Sequence, residues 1–129
     1  AIVSEPAAKN NSPALGIPFS PSLGSAFKQT LDNAKRLVSS WGGKLYFVYL
    51  PSGTMLTSNE EHPWREFTLL TATELGIPII DTENEVFASH PDPLSLFPRR
   101  NSNYHYNAKG YRLVAEAIAE GLKADGVLQ

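Results

Sequence analysis

Near the end of the chain, Asn103-Tyr104-His105-Tyr106-Asn107 places an imidazole and two carboxamides immediately before a long amphipathic segment. Imidazole changes charge close to neutrality, so it is the usual base for drawing a proton from a serine hydroxyl. That task needs a hydroxyl within hydrogen-bond reach. It also needs an acceptor on the second ring nitrogen, to hold the tautomer and steady the imidazolium. The residues three and two before His105 are Ser102 and Asn103, both neutral. Each offers an oxygen, but neither supplies the negative charge of a carboxylate. Asp81 and Asp92 are the carboxylates that could substitute in space, but each reads more readily as a turn or cap residue.

The hydroxyl is harder to find. No Gly-x-Ser-x-Gly elbow occurs in the sequence. Ser52 follows an apolar run, which is the right kind of place for a nucleophile, but Pro51-Ser52-Gly53 is also an ordinary strand-ending turn, and the turn is the favoured reading. Ser58 reads as a helix cap. The histidines His62, His90 and His105 are scattered, and no two share the i,i+4 spacing of a helical zinc site. No metal and no cofactor is therefore expected. Gly42-Gly43 precedes a strand-like run, whereas a phosphate loop links a strand to a helix. Tyr104, Tyr106 and Asn107 flank the histidine and are the candidate substrate contacts. Tyr111 reads either as a groove residue or as packing for the last helix.

The elements that must position these groups follow from apolar spacing. Pro6, Pro13, Pro18 and Pro21 break any period over residues 1–21, which reads as an arm or linker anchored by Ile17 and Phe19. A domain is expected over 22–129. Leu23, Phe27, Leu31, Ala34 and Val38 recur near a 3.6 period and predict a helix over 22–41, capped by Ser22 and stopped by Gly42-Gly43. The run 45–50 is almost wholly apolar or aromatic, the pattern of a parallel strand covered on both faces. Pro63 opens a helix over 63–75 that buries Phe67, Leu70, Ala72 and Leu75, with Gly76 at its end. Residues 77–80 predict a second strand closed by Asp81, with Pro78 at an edge or first position. Thr82 and Glu85 have capping-box spacing for a short helix over 83–88. A loop follows to Asn107, the natural cap of a helix over 108–123 with a stripe of Tyr111, Val114, Ala115, Ile118 and Leu122. Two parallel strands with helical crossovers are part of a doubly wound α/β fold. So small a sheet is a poor core alone, so unread strands, a complementing N-terminal segment or a partner copy in a homo-oligomer is expected to complete it.

Composition narrows the classes. The 129 residues carry a formal charge of -2, with 42% hydrophobic and 19% charged residues, enough for one core. The longest basic run is Arg99-Arg100, so nucleic-acid binding has little electrostatic support. Absence of cysteine excludes disulfides and thiolate sites and leaves the redox compartment open. No apolar run approaches the ~20 residues of a membrane span, and no basic-then-apolar signal opens the chain.

The segment Pro93-Leu94-Ser95-Leu96-Phe97, continuing through His105-Tyr106-Asn107-Ala108-Lys109-Gly110-Tyr111 to Ile118, resembles the final block of SGNH/GDSL-type hydrolases. The branch it looks most like contains bacterial polysaccharide O-acetyltransferases and acetylesterases. Residues 44–51 look like the family's penultimate core strand ending in proline, and Leu75 to Asp81 like its last strand. The resemblance covers roughly residues 23–123 and implies a flavodoxin-like three-layer α/β/α fold. It also implies that His105 is the catalytic base and that Asn103 or Ser102 stands where the family has aspartate. The family's nucleophilic serine, with its glycine and asparagine oxyanion donors, lies on earlier strands that nothing here matches. The chain is thus expected to be a C-terminal portion of a serine esterase or O-acetyltransferase acting on acetyl esters of carbohydrate, or an inactive relative. A non-catalytic domain binding a glycan or a protein is the other expectation, favoured by neutral Asn103 and Ser102.

Overall fold

The computed structural model describes residues 18–58 and 62–129. The expected arm therefore lies outside the described residues up to Ile17, while Phe19 is seen to pack edge-on against Trp64 and Phe67 at 4.9 and 5.2 Å. In chain order the elements are α1 (Pro21–Ser40), β1 (Phe47–Tyr49), α2 (Gly53–Thr57), α3 (Pro63–Glu74), β2 (Ile79–Asp81) and α4 (Ala108–Ala124). A single wide π-turn, Glu83–Phe87, follows β2, and two 3-10 turns, Pro93–Leu96 and Pro98–Arg100, break the long loop before α4.

The fold is mixed α/β. Among the described residues, β1 and β2 form a two-stranded parallel sheet with Phe47 opposite Ile79, Val48 opposite Ile80 and Tyr49 opposite Asp81. Successive side chains of a strand leave on opposite faces, and the packing follows that rule. Phe47 meets Phe27 of α1, which in turn meets Phe67 of α3, at ring separations of 6.1 and 6.0 Å. Ile80 faces the other way and packs beneath α4, where a Cβ on Gly121 would lie 3.0 Å from its side chain. Helices thus flank both faces of the small sheet. The largest contiguous core is Val86, Phe87, Leu96, Phe97 and Val114, under the end of the sheet that carries the long loop.

Several sequence expectations need correction. The cap of α1 is Ser20 and not Ser22, because Pro21 takes the first helical position and the Leu23 N–H reaches the Ser20 hydroxyl at 3.3 Å. β1 is half-buried throughout, so although helices lie on both faces of the sheet it is not as deeply buried as its composition suggested. The capping box at Thr82 does not form. Thr82 has helical dihedrals, and its buried hydroxyl donates instead to the Tyr49 carbonyl at 2.6 Å, joining the two strand ends. Ser58 ends α2 instead of starting a helix. On α3, Leu70 is exposed and Thr71 and Ala72 are buried. On α4 the inward stripe runs through Gly110, Leu113, Val114, Ala117 and Ile118, while Tyr111 and Ala115 face outward. Gly110 rotates the stripe: its missing Cβ lets the helix approach the Leu96 carbonyl, at 2.7 Å from where that Cβ would stand.

Candidate functional site

The carboxyl end of β1 runs into Leu50-Pro51-Ser52-Gly53. Pro51 is fully buried, and Ser52 is exposed and caps the short α2, its hydroxyl accepting from the Met55 N–H at 3.4 Å. The loop 101–107 lies across this end and is tied to it twice. The Tyr106 hydroxyl donates to the Pro51 carbonyl, and its ring is wedged against Phe87, Phe97 and Tyr111 at 4.8, 5.5 and 5.4 Å. Gly53 packs directly on Ser102: a Cβ there would stand 2.7 Å from the Ser102 Cβ and nearer still to its carbonyl oxygen. Glycine is required at this position for close approach, since no side chain fits.

The far end of the loop is fixed by Asn107. Its Oδ1 accepts from the Gly110 N–H at 3.0 Å as the cap of α4, while its Nδ2 and its backbone N–H donate to the carbonyls of Ser95 and Leu96, both at 2.8 Å. The bidentate Arg100–Asp92 pair, at 2.6 and 2.9 Å, braces the preceding turn. There Arg99 and Arg100 hold φ of 52° and 56°, a left-handed conformation costly for side-chain-bearing residues.

Between these ties opens a groove of about 900 Å³, lined by Leu50, Pro51, Ser52, Gly53, Thr54, the loop residues Ser102 to Tyr106, and Tyr111. His105 lines it together with Asn103, Ser102, Tyr104 and Tyr106. Asn107 is not among the lining residues, since its side chain is consumed by the cap. Sequence reasoning did not anticipate Leu50 and Thr54, and it gave Ser52 to the turn. Leu50, Tyr104 and Tyr111 are 53%, 59% and 51% exposed, so the groove presents open apolar and aromatic surface. No lining residue is Asp, Glu, Lys or Arg. Hydroxyls, one carboxamide and one imidazole are its polar groups, a set suited to a neutral ligand with apolar faces.

The His105 imidazole is exposed and makes no hydrogen bond among the described residues. Neither of the more distant carboxylates orients it. Asp92 is held by Arg100, whose guanidinium keeps its carboxyl below the usual range. Asp81 is held by Arg65 at 2.5 Å and by Asn84 at 3.0 Å. Asp81 belongs to a separate polar cluster at the end of β2. There Arg65 also pairs with Glu83 at 2.7 Å and stacks over the Tyr49 ring at 5.1 Å. Burial, with the Glu83 carboxylate next, pushes the Tyr49 phenol up to about 12. Burial raises Tyr106 further. The second Asp81 oxygen and the His62 Nε2 are buried without a hydrogen-bond partner among the described residues.

A smaller groove of about 390 Å³ lies between the 85–91 segment and α4, with Glu85, Glu116, Glu120 and His90 along it. Its charges are partly met within the chain: Glu116 faces Arg112 at 3.8 Å, Glu120 faces Lys123 at 3.2 Å, and His90 Nδ1 accepts from the Asp92 N–H. Among the described residues, no group of His, Asp and Glu side chains could hold a metal ion. Nor is any described helix long and apolar enough to cross a membrane. Comparison with protein-family models, with curated proteins and with solved structures finds no match to this chain.

Proposed function

We propose that this chain is the histidine-bearing part of an SGNH/GDSL-like serine esterase or O-acetyltransferase with a flavodoxin-like architecture. The observation that carries the reading is the placement of His105 in an uncharged groove at the carboxyl end of β1. Ligands of open α/β sheets bind outside that end of the strands, and an acyl ester of a neutral sugar matches the lining in polarity. In this account His105 takes the proton of a serine hydroxyl as it attacks the ester carbonyl, then returns it to the leaving alcohol. Asn103 and Ser102 line the same groove with neutral oxygens, and Tyr104 and Tyr106 offer ring faces to the acyl or sugar group.

A second reading is favoured by one observation. Among the described residues the imidazole has no carboxylate on its second nitrogen, so a domain that binds a neutral glycan without reacting with it also agrees with the groove.

Titration of the chain with an acetylated neutral oligosaccharide, followed by NMR, tests the ester-site reading against both binding alone and no binding. Resonances of Tyr104, His105 and Tyr106 are expected to shift with saturation, and His105→Ala to weaken binding of the acetylated ligand more than of the deacetylated one. Shifts confined to surfaces away from 50–54 and 102–106 would remove the proposal. Equal affinity for both ligands would leave the binding reading in its place. Simple alkyl acetates are expected to be hydrolysed no faster than in buffer, because losing even one oxyanion donor costs about 10²–10³ in rate, and the resemblance puts those donors on segments this sequence does not match.

A further inference from the structure

We infer that Ser52 is the hydroxyl partner of His105, so that the groove carries its own acyl-accepting pair. This rests on the ester-handling reading of the groove and goes beyond it, because the resemblance assigns the reacting serine to another part of the fold.

The two side chains share a groove without being hydrogen-bonded to each other, and three observations favour Ser52. It is an exposed hydroxyl lining the same groove as His105, one residue past the buried Pro51 at the end of β1. The chain has also been shaped to bring its turn against the histidine loop. Gly53 leaves no room for a side chain because Ser102 occupies that space, and three residues of extended chain from Ser102 to His105 span at most ~11 Å. Finally, the hydrogen bonds of the Ser52 oxygen leave its proton available. It accepts from the Met55 N–H at 3.4 Å, and Thr54 Oγ1 at 3.1 Å is able to donate as readily as to accept. The other serine lining the groove, Ser102, has its backbone packed on Gly53 and is less exposed than Ser52.

The chemistry balances with an ester and water alone. Ser52 Oγ forms a bond to the acyl carbon while its proton passes to an imidazole nitrogen of His105. The carbon–oxygen bond to the leaving alcohol breaks, and the alcohol carries away that proton. Release of the acyl group takes water, whose proton passes through His105 back to Ser52 Oγ as the carboxylic acid leaves; this half, like attack on an unactivated alkyl ester, is slow without oxyanion donors, so the acyl-serine accumulates. An activated ester such as p-nitrophenyl acetate, whose leaving group departs as a stable phenolate, needs little oxyanion support for the first half.

Incubation of the full chain with p-nitrophenyl acetate, followed by peptide mass mapping, reads this directly. One acetyl group is expected on Ser52, forming saturably, with the rate falling about 10²-fold or more in His105→Ala. Ser52→Ala removes the helix cap along with the hydroxyl. Ser52→Asn is therefore the decisive variant, since asparagine still caps while offering no hydroxyl; circular dichroism verifies that it folds, and it is expected to take no label in the groove. Acetylation on Thr54, Ser102 or a tyrosine in place of Ser52 overturns the assignment, as does a Ser52 label whose rate ignores His105→Ala. If the oligosaccharide shifts persist but Ser52 stays unlabelled, Ser52 is excluded and the ester-groove reading survives. Loss of both disposes of both.

Discussion

At the residue scale, a few side chains with two jobs each hold the groove in place. Tyr106 is half core and half tether, with its ring among Phe87, Phe97 and Tyr111 and its hydroxyl on the Pro51 carbonyl. Its neighbour His105 is thereby carried to the strand end without a bond of its own. Tyr49 does similar work beside β2, where burial and the Glu83 carboxylate raise its phenol from 10.0 to about 12. The sign of the linkage is definite. A folded-state value above the unfolded one means that the stabilisation is complete below pH 10.0 and is lost as pH climbs towards about 12. Urea midpoints of the wild-type chain should therefore fall over that interval more steeply than those of Tyr49→Phe. Parallel curves would show that the phenol is free to ionise in the folded state.

Elements, at the next scale, were placed by different kinds of signal. Helix positions were legible because their signals are local: the 3.6 period of α1, Pro63 at the start of α3, Asn107 at the start of α4. Which face each helix buries was less legible. The α4 stripe was right at Val114 and Ile118 and wrong at Tyr111 and Ala115, because apolar residues occur on more than one side, and Gly110 decides the face by permitting contact with the Leu96 carbonyl. Asn107 joins the two levels, as cap and as tie to the 93–96 turn. Asn107→Ala should cost about 1–2 kcal/mol in urea unfolding, near the upper end for a lost cap, because the Ser95 carbonyl also loses its donor. Asn107→Asp keeps the cap and should lose less. An unchanged midpoint for the alanine variant would mean that α4 does not depend on this anchor.

For the molecule as a whole, the small sheet sets the behaviour. Two strands leave two open edges among the described residues, and unpaired edges invite further pairing. Leu37 and Trp41 near the end of α1 are 61% and 65% exposed, adding apolar surface. Sedimentation at increasing concentration is expected to show self-association, reduced when Trp41 is replaced by Lys. A single monomeric species across the range would show that edges and apolar surface alike stay unpaired in water.

Composition, periodicity and capping residues determined the mixed α/β class, the two strands, the three longer helices and an imidazole ahead of the last helix, because each depends on neighbours a few positions away; the short α2 was not read. The groove was another matter. Ser52 and His105 are far apart in sequence, and no local pattern states that Gly53 will rest on Ser102 or that Tyr106 will reach Pro51. Those meetings depend on how α4 and the long loop pack over the sheet end. The same packing assigned Asp81 and Asp92 to arginines and left His105 to the groove.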